Sequence, residues 1–306
     1  MYCDIIGDIH GHADKLVNLL LKLGYEFKEG YYQHHARQVF FVGDFIDRGS
    51  QNRRVIEIVR SMVANGSAKA VMGNHEYNAI CYHTPKSNTE WLRPHSKSKF
   101  KQHEEFLKEY PVGHNDTNEV IAWFKTLPLF LEEKDFRLIH ACWDPAAIVR
   151  VKHFLNTDNT LKEEYIAESA TKDSQLFLDI ERLLKGVEIE LPAPYSFKDK
   201  DGKERRHIRV KWWGPTHVSC RKAAFGYGDD TSNFPDDLIL NCSSTPSYHI
   251  ENKPVFFGHY WMVGTPEVQQ DNVCCVDYSA GKGKKLVCYR FFKGPLDDGQ
   301  FCWVDE

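Results

Sequence analysis

Three strand-like runs in this chain each break off at polar residues of the kind that bind cations, and that repetition constrains the fold more than any other feature. Tyr2 to Ile6 runs into Gly7-Asp8-Ile9-His10-Gly11, and Val39 to Val42 into Gly43-Asp44-Phe45-Ile46-Asp47-Arg48-Gly49. Ala68 to Met72 runs into Gly73-Asn74-His75-Glu76. Short apolar runs closed by glycine read as buried strands. A strand ending this way delivers its polar group at the C-terminal edge of a sheet, where open α/β folds place their ligand chemistry. Between the first two runs, Leu16, Leu19, Leu20 and Leu23 recur at helical spacing until Gly24. Between the second and third, Val55, Val59, Met62 and Val63 mark a helix over about Asn52 to Asn65. Right-handed crossovers then bring all three strand ends to one rim. This is a parallel α/β beginning. Taken alone, the Asp44 turn also admits a surface ion pair between Asp47 and Arg48, with Asp44 capping the helix that follows.

Beyond His75, Tyr82 to Pro94 is rich in Pro, Ser, Thr and His and reads as a long loop, after which Phe100, His103, Leu107 and Tyr110 restore a helical stripe. A helix over about Asn118 to Lys125 leads into a hairpin-like pair, Leu129 to Glu132 and Phe136 to Ile139, whose second run ends at His140-Ala141-Cys142. From Pro145 to about Asn252 the pattern changes. Leu176, Ile180, Leu183 and Leu184 mark a helix, and Asp201-Gly202 reads as a hairpin turn between strand-like segments. We expect one domain over 1–306 with an inserted cap at about 145–252. Val255 to Phe257 ends in Gly258-His259, and short strands near Val273 to Asp277 and Leu286 to Phe292 complete the chain.

Composition excludes several classes. A 306-residue chain with 42% hydrophobic residues can bury a large core. Its longest apolar runs are far shorter than a membrane span, and no basic-then-apolar leader opens it, so a cytoplasmic location without membrane attachment is expected. The net charge of −4, from 39 basic and 43 acidic residues, argues against generic nucleic-acid binding. Nine scattered cysteines without a Cys-x-x-Cys pair fit free thiols in a reducing compartment.

Gathered from the strand ends, the polar set is Asp8, His10, Asp44, Asn74, His140 and His259, all oxygen or imidazole donors. Such a mixed hard and borderline set suits two divalent ions of the manganese, iron or zinc type, with manganese favoured. Two ions about 3.5–4 Å apart share a ligand and a hydroxide, which supplies a nucleophile at neutral pH and clamps phosphoryl oxygens. Asp44, central in the order, is the natural bridge.

Gly-Asp-Ile-His-Gly, Gly-Asp-Phe-Ile-Asp-Arg-Gly, Gly-Asn-His-Glu, a later strand-end His and a final Gly-His together resemble the metallophosphoesterases of the phosphoprotein phosphatase, calcineurin-like, family. The resemblance covers about residues 2–144 and 254–290. It implies a central pair of mixed β-sheets flanked by helices. It further implies that Asp8, His10 and Asp44 hold one metal, while Asp44, Asn74, His140 and His259 hold the other. His75 and Asp47 become the proton-transfer pair, and Arg48 a phosphate ligand. General chemistry agrees: a carboxylate on one imidazole nitrogen fixes the tautomer, and a guanidinium fork matches two phosphoryl oxygens.

Two departures point to a bacterial-type member. His140-Ala141-Cys142 stands where the family's protein phosphatases usually have His-Gly-Gly, and Val276-Asp277-Tyr278-Ser279-Ala280-Gly281 replaces Ser-Ala-Pro-Asn-Tyr. That segment, running on to Lys285-Leu286, is closer to the endings of bacterial symmetrical dinucleoside tetraphosphatases. The expected activity is hydrolysis of phosphate monoesters, on a phosphorylated protein or a small molecule. The alternative is symmetrical dinucleoside tetraphosphate hydrolysis. For a second anion ligand the chain offers Arg205, His207, Arg209 and Lys211, alternating along one expected strand face, with Arg209 and Lys211 as candidates. The competing reading is a solvated edge strand. No cysteine is followed six residues later by arginine, so Cys142 reads as a packed thiol. Trp212-Trp213 and Tyr260-Trp261 read as pocket walls or plain core, without a site assignment.

Overall fold

Alternation along the strands sorts the core into two layers. The structure, a computed structural model, describes residues 2–198, 204–214, 219–225, 234–235, 237–239, 245–246 and 248–305. Strand β1 (Tyr2–Ile6) leads to helix α1 (Ala13–Leu23), a small hairpin of β2 (Glu26–Lys28) and β3 (Tyr31–Gln33), and β4 (Arg37–Phe41). Helix α2 (Asn52–Ala64), β5 (Ala68–Ala70) and helices α3 (Asn74–His83), α4 (Lys97–Glu109) and α5 (Asn115–Phe124) follow. Then come β6 (Phe130–Glu132), β7 (Arg137–Ile139), α6 (Pro145–Val151), α7 (Ile166–Ser169), α8 (Gln175–Lys185) and β8 (Val187–Glu190). The chain continues through β9 (Phe197–Lys198), β10 (Glu204–Arg205), β11 (His207–Val210) and α9 (Cys220–Ala223). It closes with β12 (Val255–Phe257), β13 (Val273–Cys275), β14 (Leu286–Phe291) and β15 (Phe301–Val304).

Two mixed sheets result. The first has the order β15-β14-β1-β4-β5, with β1, β4 and β5 parallel and β14 antiparallel to β1; the second has the order β13-β12-β7-β6, with β12 parallel to both β7 and β13. Successive residues of a strand face opposite ways. Cys3, Ile5, Phe40, Val287, Tyr289 and Phe291 of the first sheet therefore meet Leu138, Phe256 and Cys274 of the second in one buried layer. Ring contacts bridge it: Phe256–Tyr289 at 5.2 Å and Phe136–Phe291 at 5.4 Å between centroids. The alternate residues, including Ile6, Phe41, Cys288, Ile139 and Phe257, join the second, larger core with the helices. Helix α1 lays Leu16, Leu19, Leu20 and Leu23 there and stops at Gly24, whose φ of 92° is cheap only for glycine. This is the expected sandwich of two sheets between helical layers.

Several boundaries moved. β5 ends at Ala70, two residues before Met72. The buried side of α4 consists of His103 and Phe106, continued by Tyr110 just past its end, whereas Phe100 is 50% exposed and Leu107 only half-buried. The expected basic strand breaks at Arg206: β10 pairs with β9, and β11 pairs separately with β8. The Asp201-Gly202 turn lies outside the described residues. All eight described cysteines are free thiols. Among the described residues no helix is long and apolar enough to cross a membrane.

Candidate active site

Parallel strands with a common direction place their following loops on one rim, and the expected residues occupy those loops. His10 follows β1, Asp44 to Arg48 follow β4, Asn74 and His75 open α3 after β5, His140 follows β7, and His259 follows β12. The backbone is bent unusually to achieve this. His10, Asp44, Asp47, Arg48, His259, Trp261 and Ser279 all have φ between 39° and 70°. Among the described non-glycine residues, only Glu29, Asn159 and Asp173 share that left-handed conformation elsewhere. Such residues cost about 1–3 kcal/mol each and persist where surrounding bonds over-determine them.

Glu76 supplies those bonds. Fully buried at the third position of α3, it accepts Gly73 N–H at 3.0 Å and Asp44 N–H at 2.8 Å through Oε2, and Phe45 N–H at 2.8 Å through Oε1. Burial, then the nearby Asp44 charge, raise its carboxyl to about 7. Asp44 in turn accepts the His75 amide at 2.9 Å through Oδ1, so it caps α3 rather than the helix that follows it in sequence.

Asp44 also sits between two groups of imidazoles. Its Oδ2 lies 3.6 Å from His10 Nε2 and 3.9 Å from His75 Nε2, and its Oδ1 lies 3.4 Å from His140 Nε2. Burial alone would raise its carboxyl, but His140 and His75 hold it well below the usual range. The imidazoles are aimed by their other nitrogens: His10 Nδ1–H donates to Ile46 O at 2.9 Å and His140 Nδ1–H to Val42 O at 2.7 Å. Backbone anchoring of this kind is typical of metal-ligating histidines. His140 Nε2 faces Asn74 Oδ1 at 3.1 Å.

Unpartnered atoms mark where a cation fits. Asp8 Oδ1, His10 Nε2 and both ring nitrogens of His259 are buried without a hydrogen-bond partner. Buried polar groups rarely remain unsatisfied, so these donors suit divalent ions. Ligand atoms of Asp44, His140 and His259 lie within 4.8 Å of one another, as do those of His10, Asp44 and His75. Asp8 uses Oδ2 to accept His259 N–H at 3.1 Å, leaving Oδ1 for the site. Burial, with Asp277 and Asp44 nearby, pushes the Asp8 carboxyl up, and burial, then Arg209, push His259 down. Gly258 makes the approach possible, since a Cβ there would stand 2.0 Å from Asp8 Oδ1.

The expected acid pair is present at contact distance. His75 Nδ1 lies 2.5 Å from Asp47 Oδ2. Burial opposes protonation of His75, yet Asp44 and Asp47 raise its pKa above the ordinary value. Asp47 spends its other oxygen on His103 Nδ1 at 2.8 Å, so the surface ion pair with Arg48 does not form. Burial would lift the Asp47 carboxyl, but His103 and His75 hold it far down. Arg48 instead places its guanidinium over Trp261, 4.8 Å from the ring centroid. Arg209, half-buried on β11, lies 3.6 Å from Glu188 and 5.8 Å from the ring centroid of Tyr260, the residue that follows His259, whereas Lys211 is exposed.

Sequence reasoning missed His103, Glu76 and Asp277. Glu76 had a signal, the third-position glutamate of a helix start. His103 had none beyond its place in a helical stripe, because its partner Asp47 is 56 residues away.

Two face-to-face mixed sheets with carboxylates and imidazoles gathered at one strand-end rim define a metal-site phosphoesterase class of architecture. The chain belongs to the calcineurin-like phosphoesterase family, whose sequence model matches residues 1–241. Members of this family use divalent metals. Relatives include a bis(5'-nucleosyl)-tetraphosphatase PrpE (asymmetrical) of Oceanobacillus iheyensis, 35% identical over 46% of this chain and 55% of the relative. Its counterpart in Halalkalibacterium halodurans is 50% identical over 24% of this chain and 31% of the relative. The chain thus spans at most about half the length of these curated relatives. A solved cold-active protein-tyrosine phosphatase of a Shewanella species shares the fold, with a TM-score of 0.52 and 16% identity over 96% of this chain and 79% of that one.

Proposed function

We propose that this chain is a divalent-metal-dependent hydrolase of phosphate esters. The observation that carries the reading is Asp44, buried between two imidazole groups whose neighbours Asp8, His10 and His259 keep unpartnered atoms turned inward. Asp8, His10 and Asp44 would hold one ion, and Asp44, Asn74, His140 and His259 the other, with manganese favoured over iron or zinc. Such a pair, when bound, supplies Lewis-acid polarisation of phosphoryl oxygens and an acidified water.

The chain's own groups do the rest. His75 presents Nε2 to the site because Asp47 occupies Nδ1, so it delivers a proton to the leaving oxygen rather than serving as a ligand. Arg48 binds phosphoryl oxygens, and Arg209 approaches them from the His259 side. Residues 145–252 form a cap inserted within one domain over 1–306. What supports this is the Gly258 N–H bond to His140 O at 2.8 Å, which brings both flanks together beside the site. Phosphate monoesters, on a small molecule or a phosphorylated protein, are the leading substrates, in the cytoplasm.

A second reading is dinucleoside polyphosphate hydrolysis. The relatives' names favour it and carry the asymmetrical label, not the symmetrical one suggested by the C-terminal segment. Assays of an aryl phosphate against diadenosine tetraphosphate, with and without manganese, test both. Repeating them with iron and zinc completes the test: turnover of neither substrate with any of the three metals would reject the hydrolase, and the product pair from the dinucleotide would separate symmetrical from asymmetrical cleavage.

A further inference from the structure

Behind Asp47 the hydrogen-bonded side chains continue away from the rim. His103, buried on α4, spends Nδ1 on Asp47 Oδ1 at 2.8 Å, and its Nε2 lies 3.3 Å from Nε2 of His83, the last residue of α3. His75 is the second residue of that same helix, so α3 carries both ends of the chain His75, Asp47, His103, His83. The His103 ring is gripped by aromatic neighbours: it stacks on Phe106 with centroids 4.7 Å apart and makes an edge contact with Tyr82 at 5.2 Å. Those contacts hold the plane of the imidazole. They do not distinguish the ring from one turned over within that plane, so its hydrogen bonds must. His83 itself is half-buried, and its Nδ1 is buried without a partner.

Proton positions follow from the donor inventory. The ionised Asp47 carboxylate can only accept, so Nδ1 of His75 and Nδ1 of His103 both carry hydrogen. Burial first, then His103 and His95, hold His83 down to about 3, so at neutral pH its ring carries one hydrogen. On Nδ1 that hydrogen would be a buried N–H with no acceptor, and His103 would have to be an imidazolium to bridge the 3.3 Å gap. On Nε2 it is donated to a bare His103 Nε2, and the unpartnered Nδ1 of His83 is a lone pair. Every N–H in the chain then points toward Asp47, and each donation strengthens the next. We propose that His83 is a positioning residue that locks His103 in its Nδ1–H tautomer and ring orientation, and through it holds the Asp47 carboxylate against His75. The role rests on the phosphoesterase reading, because it bears on turnover only where His75 protonates a leaving group. The chain orients and does not conduct. His75 gives its proton from Nε2, across the ring from Asp47, so a proton passed along the chain would arrive at an Nδ1 already occupied.

Nitrogen NMR of the full chain, labelled at histidine and loaded with diamagnetic zinc, reads the tautomers without needing turnover. Wild type at neutral pH should show His103 with a protonated Nδ1 and a bare Nε2, and His83 with the reverse. His83→Phe keeps a ring but no donor, and should leave His103 a mixture of tautomers. His83→Gln, whose amide reaches the place of Nε2, should restore the single tautomer, and His83→Asn, one methylene shorter, should not. Aryl phosphate kinetics are measured on the same proteins. In His83→Phe and His83→Asn, kcat on a poor leaving group should fall about fivefold, well below the 10²–10⁴-fold worth of an acid itself, with less loss on a good leaving group and KM within twofold; His83→Gln should recover most of it. A protonated His103 Nε2 in wild type overturns the proposal even if His83→Phe fails to fold, and so does a His103 tautomer that is the same in His83→Phe and His83→Asn as in wild type. A loss equal for all leaving groups also overturns it, by reducing His83 to packing. If wild type hydrolyses the esters and its variants ignore His83, the positioning role alone fails. If no ester is hydrolysed while the His103 tautomer still depends on His83, the hydrogen-bonded chain stands and the hydrolase reading fails.

Discussion

His75 and His103 share one carboxylate: Asp47 accepts from Nδ1 of each, at 2.5 Å and 2.8 Å, with its amide held at 2.7 Å by Asn52 Oδ1. The two imidazoles come from different helices, and only His75 turns toward the strand-end rim. His103 therefore acts as a positioning residue. It fixes the carboxylate that fixes the proposed acid.

Replacing His75 with Asn should lower turnover by about 10²–10⁴-fold, the usual worth of a general acid. His103→Leu should lower it less, and His103→Asn, whose amide can stand in for the Nδ1 donor, should recover part of that. Rates on aryl phosphates of graded leaving groups are the check. In both damaging variants the loss should grow as the leaving group worsens; a uniform loss would assign His103 to packing alone.

Asp44→Asn should remove both metals together. We expect affinity to fall by at least ~100-fold, the upper end of what losing an outer-shell partner costs. Elemental analysis after dialysis reads the stoichiometry, and retention of one ion at normal affinity would show that Asp44 is not shared.

Glu76→Ala should destabilise the fold. Three buried amides, of Gly73, Asp44 and Phe45, lose their acceptor, and unsatisfied buried donors cost about 1–3 kcal/mol each before relaxation. A net loss of roughly 2–5 kcal/mol, read from denaturant midpoints, is expected. Glu76→Gln should lose less, since one carbonyl oxygen remains.

His83 gives a pH dependence away from the metal rim. Burial first, then His103 and His95, hold its pKa down to about 3 against a partial pull from Asp47. The unfolded chain takes up that proton near the ordinary histidine value of 6.5 and the folded chain does not. Stability from this group is therefore fully present above about 6.5 and falls progressively as pH drops toward about 3. His83→Gln should flatten the stability profile between pH 6 and 4 relative to wild type, as measured by denaturation at each pH. An unchanged slope would mean His83 is protonated in the fold.

Arg209 and Lys211, treated together at the level of sequence, should separate in experiment. Arg209→Gln should raise KM for phosphate esters, because the guanidinium lies beside His259 and Tyr260. Lys211→Gln, on an exposed side chain, should leave KM within twofold.

What was legible in the sequence was whatever local pattern encodes. Apolar runs closed by Gly-Asp, Gly-Asn and Gly-His announced both the strands and the rim, since a strand end and its following ligand are adjacent in the chain. The sites of failure involve partners distant in sequence. His103 finds Asp47 only after α4 docks, and Trp261 finds Lys282 only after β12 and β13 align. Pattern also overreached at Arg205 to Lys211, where strict alternation concealed a change of pairing partner at Arg206.

The Asp8 bond to the His259 amide has a wider consequence. Asp8 follows a strand of one sheet and His259 a strand of the other, so the proposed ion pair is assembled across the seam of the sandwich. The spacing of the sheets then acts as a gauge for the spacing of the ligands. Aromatic rings remote from the rim, Phe136 and Phe291 among them, set that gauge by their thickness. Trimming one of them is a way to detune cation uptake from afar, with every ligand still in place.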